Sequence, residues 1–139
     1  MESLGKKASS LVKQAESLVR DIESRSLNKV YIAGPMSGLP DFNRANFFSL
    51  GNRIKYLGYV VLNPAVLPDG LTQAEYMDIC CAMVRAADCV VMLDGWEDSD
   101  GAVAEYHLAK KLGKALMTEL DVGRHERILS CEVSYKAFG

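Results

Sequence analysis

The chain is poor in the residues that build metal centres and redox pairs. It has 2 histidines and 4 cysteines in 139 residues. The cysteines are Cys80, Cys81, Cys89 and Cys131, and no two stand in a CxxC spacing. His107 and His125 have no ligand spacing, so no metal is expected. The cysteines read as reduced core thiols of a cytosolic protein. Neither GxGxxG nor a P-loop occurs, so no dinucleotide or ATP fingerprint is present and no cofactor is expected. Charge of one sign is also lacking: 16 Lys and Arg against 18 Asp and Glu leave a net charge of −2. Without a basic patch, binding a nucleic-acid backbone is not the expected task. No apolar run is long enough to span a bilayer, and residues 1–10 are too polar for a signal peptide. The expectation is a cytoplasmic protein with no membrane partner. Internal repeats and low-complexity tracts are absent as well.

What is there suits one domain with a proper core: 49% hydrophobic and 24% charged residues. Residues 1–27 read as a separate piece. Leu4, Ala8, Leu11, Ala15, Leu18 and Ile22 recur at alternating steps of four and three, widened by Val12 and Val19. That is an amphipathic helix of about three heptads. An isolated helix of this length is marginal, so it needs a partner. The partner is either a second copy, which makes a homo-oligomer, or the chain's own domain.

Residues 28–139 alternate strand and helix patterns. Strands are expected at 29–33, 59–62, 89–93 and 115–117, with a further strand or arm at 128–135. Helices are expected at 42–57, 71–87 and from Ser99 or Asp100 to Gly113. Thr72 and Glu75 form a capping box for the second helix. The third strand, Cys89 to Leu93, is a continuous apolar run, the mark of burial on both faces. The order implies an α/β fold, doubly wound, with a mostly parallel sheet of four or five strands in the order 2-1-3-4. In such a sheet a ligand sits where the strand order reverses, at the strands' carboxyl ends. Two loops meet there, Gly34–Pro40 and Asp94–Gly101.

Glu105 lies one turn inside the helix after the second loop. It shares a face with Ala102, Leu108, Ala109 and Leu112, the face that packs on the sheet. A carboxylate there is expensive unless something uses or neutralises it. Around it, each residue has a functional and a structural reading. Gly34, Pro35, Met36, Ser37 and Gly38 suit an anion, or form a tight turn. Tyr31 can reach Glu105 from the neighbouring strand, or is a core tyrosine. Trp96 can stack on a ring or cap the core edge. Ser99, beside Gly101, can donate to a phosphate or cap its helix. Asp88 orders the turn before its strand more readily than it does chemistry.

These residues, Tyr31 to Gly38, Asp88 to Val91, Ser99 to Ala102 and Glu105, resemble the nucleoside 2-deoxyribosyltransferase-like superfamily, which includes 2′-deoxynucleoside 5′-phosphate N-hydrolases. The Gly-Trp-x-x-Ser-x-Gly-Ala-x-x-x-Glu version looks most like a branch common in phages and prophages. The resemblance implies a small nucleotide or nucleoside ligand. It implies cleavage or transfer at an N-glycosidic bond, with Glu105 as nucleophile and Tyr31 orienting it. It places Ser37, Gly38 and Ser99 at a 5′-phosphate, with Pro35, Met36, Asp88, Trp96 and Gly101 around the substrate. One departure stands out. The family's aspartate that assists the leaving base falls here on Cys80. Asp78, two positions earlier, sits about 200° around the helix. The alternative is therefore a protein that sequesters a nucleotide or an ADP-ribose-like ligand without turnover.

Overall fold

The computed structural model describes residues 8–14, 16 and 28–127. Four strands form one parallel sheet: β1 (Lys29–Ala33), β2 (Val60–Leu62), β3 (Cys89–Met92) and β4 (Ala115–Thr118). Their order is β2-β1-β3-β4, as the alternation of patterns predicts. Every pairing is parallel; Tyr31 stands opposite Leu62 on one side and Val90 on the other. The connecting helices are α1 (Arg44–Tyr56), α2 (Gln73–Ala86) and α3 (Asp100–Lys111). Residues 119–127 are also helical.

Because side chains alternate along a strand, β1 and β3 each feed two cores. Val30, Ile32, Cys89 and Val91 point to one face, where Phe47, Leu50 and Ile54 of α1 and Val122 cover them. Tyr31, Ala33, Val90 and Met92 point to the other, where Cys80 and Val84 of α2 and Ala102 and Ala109 of α3 pack. Parity alone thus sends Tyr31 to the face of α2 and α3. Alanines at 102 and 109 let α3 lie close to the sheet.

The caps follow the sequence. Thr72 and Glu75 make the reciprocal capping box of α2, and the Ser99 side chain accepts from the Ala102 N–H to cap α3. Several boundaries shift by one or two residues, and one shift has a local cause. The first helix starts at Arg44, not at Phe42, because Asp41, Phe42 and Asn43 are all left-handed, with φ of 47°, 53° and 61°. Side-chain bonds hold this turn: Asn43 Nδ2 donates to the Pro35 carbonyl at 2.9 Å, and Arg44 reaches back to Asp41 at 2.9 Å. Apolar spacing cannot see such contacts, and it drew Phe42 into the helix.

Gly34 also differs from expectation in what its missing side chain is for. A Cβ there would lie 2.6 Å from Leu93 Cβ. The glycine lets the chain leaving β1 pass close beside the Leu93 side chain. Gly34→Ala should therefore cost about 1–3 kcal/mol by overpacking, read as a lower denaturant midpoint at unchanged slope.

The expected strand or arm at 128–135 and most of the N-terminal heptads lie outside the described residues. Residues 8–14 are helical, with Leu11 and Val12 solvent-exposed. Among the described residues, no helix is long and apolar enough to cross a membrane.

Candidate functional site

The strand order reverses between β1 and β3, and a cleft of about 470 Å³ opens there, within the usual range for small-molecule sites. Its walls come from the loop after β1 (Gly34, Pro35, Met36, Ser37), from α2 (Gln73, Met77, Cys80) and from the start of α3 (Ser99, Asp100, Gly101). Glu105 also lines it and is only 6% exposed, the one buried charged residue among those described. A smaller apolar cavity of about 210 Å³, between Val30, Ile54, Met117 and Val122, has no carboxylate in its lining.

Behind Glu105 stands Tyr31, whose hydroxyl donates to Glu105 Oε2 at 2.9 Å. Burial pushes the Glu105 carboxyl from 4.5 up to about 7, and the Tyr31 hydrogen bond partly opposes this. Desolvation penalises the charge, while a donor favours it. The Tyr31 hydroxyl is itself raised well above 10 by burial and then by the neighbouring Glu105 charge, so it remains a donor. Cys80 completes the cluster. Burial raises its thiol to about 11, against the lowering effect of the Tyr31 hydroxyl. A thiol so placed stays protonated at neutral pH; it holds a proton and is not a nucleophile.

Other sequence candidates fall elsewhere. Asp88 sits at the opposite edge of the sheet. Its carboxylate accepts from the N–H groups of Asn28 (3.1 Å) and Lys29 (3.0 Å) and pairs with the Lys29 ammonium at 3.4 Å. It fastens the start of β1 to β3, the structural reading of the two. Trp96 stacks on Tyr106, with centroids 4.8 Å apart, and is not on the cleft wall. It braces the loop against α3. Asp78 is exposed on α2 and does not line the cleft, as its angle from Cys80 requires. Gly38 is an exposed turn glycine at φ +80°, outside the wall.

The cleft also contains residues the sequence did not single out. Phe42 and Arg44 reach it from the left-handed turn, Pro64 and Leu67 from the loop after β2, and Asp98 flanks Ser99. The signal for Arg44 is weak, because a lone arginine at a helix start resembles any solvated charge. Among the described residues no group of three His, Cys, Asp or Glu is disposed to hold a metal ion.

No curated protein sequence matches the chain. Among solved structures it is similar to a 2-desoxiribosyltransferase from Leishmania mexicana, at 26% identity and a TM-score of 0.55. The match covers 66% of this chain and 63% of that one, so this chain spans under two thirds of that protein's length. The likeness supports the nucleoside 2-deoxyribosyltransferase-like superfamily. A family model described as "Domain of unknown function (DUF4406)" matches residues 28–118, the stretch that holds all four strands, both loops and Glu105. The chain belongs to the DUF4406 family.

Proposed function

We propose that the cleft cleaves or transfers at the N-glycosidic bond of a nucleotide or nucleoside, with Glu105 as the nucleophile. The observation that carries this is the buried Glu105 carboxyl on the cleft wall, held by the Tyr31 hydroxyl. The likeness to a 2-desoxiribosyltransferase agrees with it. An ionised Glu105 oxygen attacks the anomeric carbon as the bond to the base nitrogen breaks. The electron pair leaves on the base, which takes a proton from the Cys80 thiol. In hydrolysis, water then attacks the same carbon, Glu105 departs as carboxylate, and the water's proton returns to the thiolate. Ser37 and Ser99 supply hydroxyls on the cleft wall for the sugar. The test is incubation with a panel of deoxynucleosides and their monophosphates. Free base should appear with the native chain and not with Glu105→Gln.

A second reading is binding without turnover. It is favoured by Cys80, since a thiol near 11 gives up its proton far less readily than a carboxylic acid. Ligand recovered intact from the protein, with no base released across the panel, selects this reading.

Residues 1–27 serve in this proposal as an assembly or docking helix ahead of the domain at 28–139. Leu11 and Val12 at 65% and 55% exposure support it, because an apolar stripe left in water seeks a partner. Deleting residues 1–26 should lower the number of copies per particle measured by light scattering. An unchanged number of copies would reject self-association through this helix.

A further inference from the structure

The cleft is electrically lopsided. Its wall at α3 and the turn just before it carries Asp98, Asp100 and Glu105. Arg44, at the start of α1, is the single Lys, Arg or His in the described lining, and it comes from the other face of the sheet. An anion set against Ser99 meets the Asp98 and Asp100 carboxylates beside it; one set against Arg44 meets a guanidinium. The two ends of the cleft therefore select opposite signs.

Arg44 is also held unusually. Its guanidinium donates to Asp41 at 2.9 Å, to Asp69, and to the Leu67 carbonyl at 3.4 Å. It lies 5.2 Å from the centre of the Phe42 ring. The arginine side chain is 19% exposed, while Asp41 and Asp69 are 76% and 68% exposed. The cation is sheltered and its counterions are not. Exposed carboxylates bind an arginine weakly and exchange easily. A phosphate-like group brings more charge and the same two-pronged geometry. The three left-handed residues just before Arg44 set its approach to the cleft. Backbone held in this region collects at ligand clamps.

We propose that Arg44 receives an anionic, phosphate-like group of the ligand, exchanging Asp69 for it. The inference rests on the reading above that the cleft is the ligand site. It makes Arg44 the residue that tells a phosphorylated ligand from its neutral counterpart, and Asp69 a built-in competitor that keeps the guanidinium oriented while the cleft is empty.

The test is calorimetric titration of the full chain with deoxyadenosine, its 5′-monophosphate and inorganic pyrophosphate, in the Glu105→Gln background so that nothing turns over. The monophosphate should bind at least tenfold more tightly than the nucleoside. Arg44→Gln should shrink that ratio about tenfold. Asp69→Asn should widen it about threefold, because the competitor is gone. If Asp69 only fastened the turn, Asp69→Asn would weaken the monophosphate as Arg44→Gln does, and the inference would be overturned. A ratio unchanged in both variants overturns it too. Should neither nucleoside nor monophosphate bind, the nucleoside reading fails and pyrophosphate decides. Pyrophosphate bound by the parent and lost in Arg44→Gln upholds the anion site; its absence from the parent ends it.

Discussion

Replacing Glu105 with glutamine is expected to abolish base release while raising stability at alkaline pH. The loss of turnover should be roughly 10⁴-fold or more, the scale seen when a nucleophile is removed. The gain in stability follows from linkage. The carboxyl titrates at about 7 in the folded chain against an ordinary 4.5. Between those values the folded state holds a proton that the unfolded chain has released. Stability therefore falls as pH rises from about 4.5 to 7, and the full penalty applies above that window. A shift of this size is worth roughly 3 kcal/mol. Glutamine carries no charge and escapes the penalty, less about 1 kcal/mol if its amide lacks an acceptor. Glu105→Gln should thus be the more stable protein at pH 8 and nearly equal to the parent at pH 5. Denaturant unfolding at the two pH values measures this. A variant less stable at pH 8 would mean that the native carboxylate is compensated by a neighbour, and would argue against a poised nucleophile. In the active protein the same titration gives a rate that climbs through about pH 7.

Tyr31→Phe is expected to move that climb upward. Its hydroxyl bonds to Glu105 and lowers the carboxyl's pKa, so removing it leaves burial unopposed. A hydrogen bond to a charged group is worth about 1.5–3 kcal/mol, which corresponds to roughly a 10- to 100-fold loss of kcat/KM at pH 7. Part of the loss should return at higher pH, where Glu105 ionises without help. Tyr31 is a positioning residue, and the pH profile separates that role from a packing one. A core defect lowers the rate at every pH and leaves the midpoint in place. Phenylalanine suits this site sterically, since Tyr31 sits among Ala33, Val84, Val90 and Met92.

The sequence made Glu105 legible for a physical reason. A charge on the packing face of an amphipathic helix contradicts its own pattern, and the contradiction needs no structure to be noticed. The strand order was legible too, because strand and helix patterns alternate and parallel crossovers are right-handed, while the apolar runs at Val30 to Ala33 and Cys89 to Leu93 mark strands covered on both faces. Tyr31 was within reach because strand parity and the parallel pairing of β1 with β3 fix its side. Arg44 and Phe42 were not legible. Their place in the cleft depends on three left-handed residues and on bonds from Asn43 to Pro35 and from Arg44 to Leu67 and Asp69, none of which has a periodic signature. Gly34 was noticed, but for a ligand's approach; its contact with Leu93 depends on how two strands diverge, which spacing does not encode. Trp96 and Asp88 carried two readings each, and neighbours distant in sequence, Tyr106 and the N–H groups of Asn28 and Lys29, account for both as structural.

Tyr31 and Glu105 are separated by 74 positions along the chain, and the sheet closes around them only with β4, which ends at Thr118. During synthesis, the first strand must wait until the chain through Met92 has left the ribosome before it has its β3 neighbour. Non-local pairing of this kind is slow to form, and in the interval the apolar face of β1 is open to chaperones. A small molecule that fits the finished cleft therefore ties the loop after β1 to the start of α3, and its grip resists opening of the domain between them.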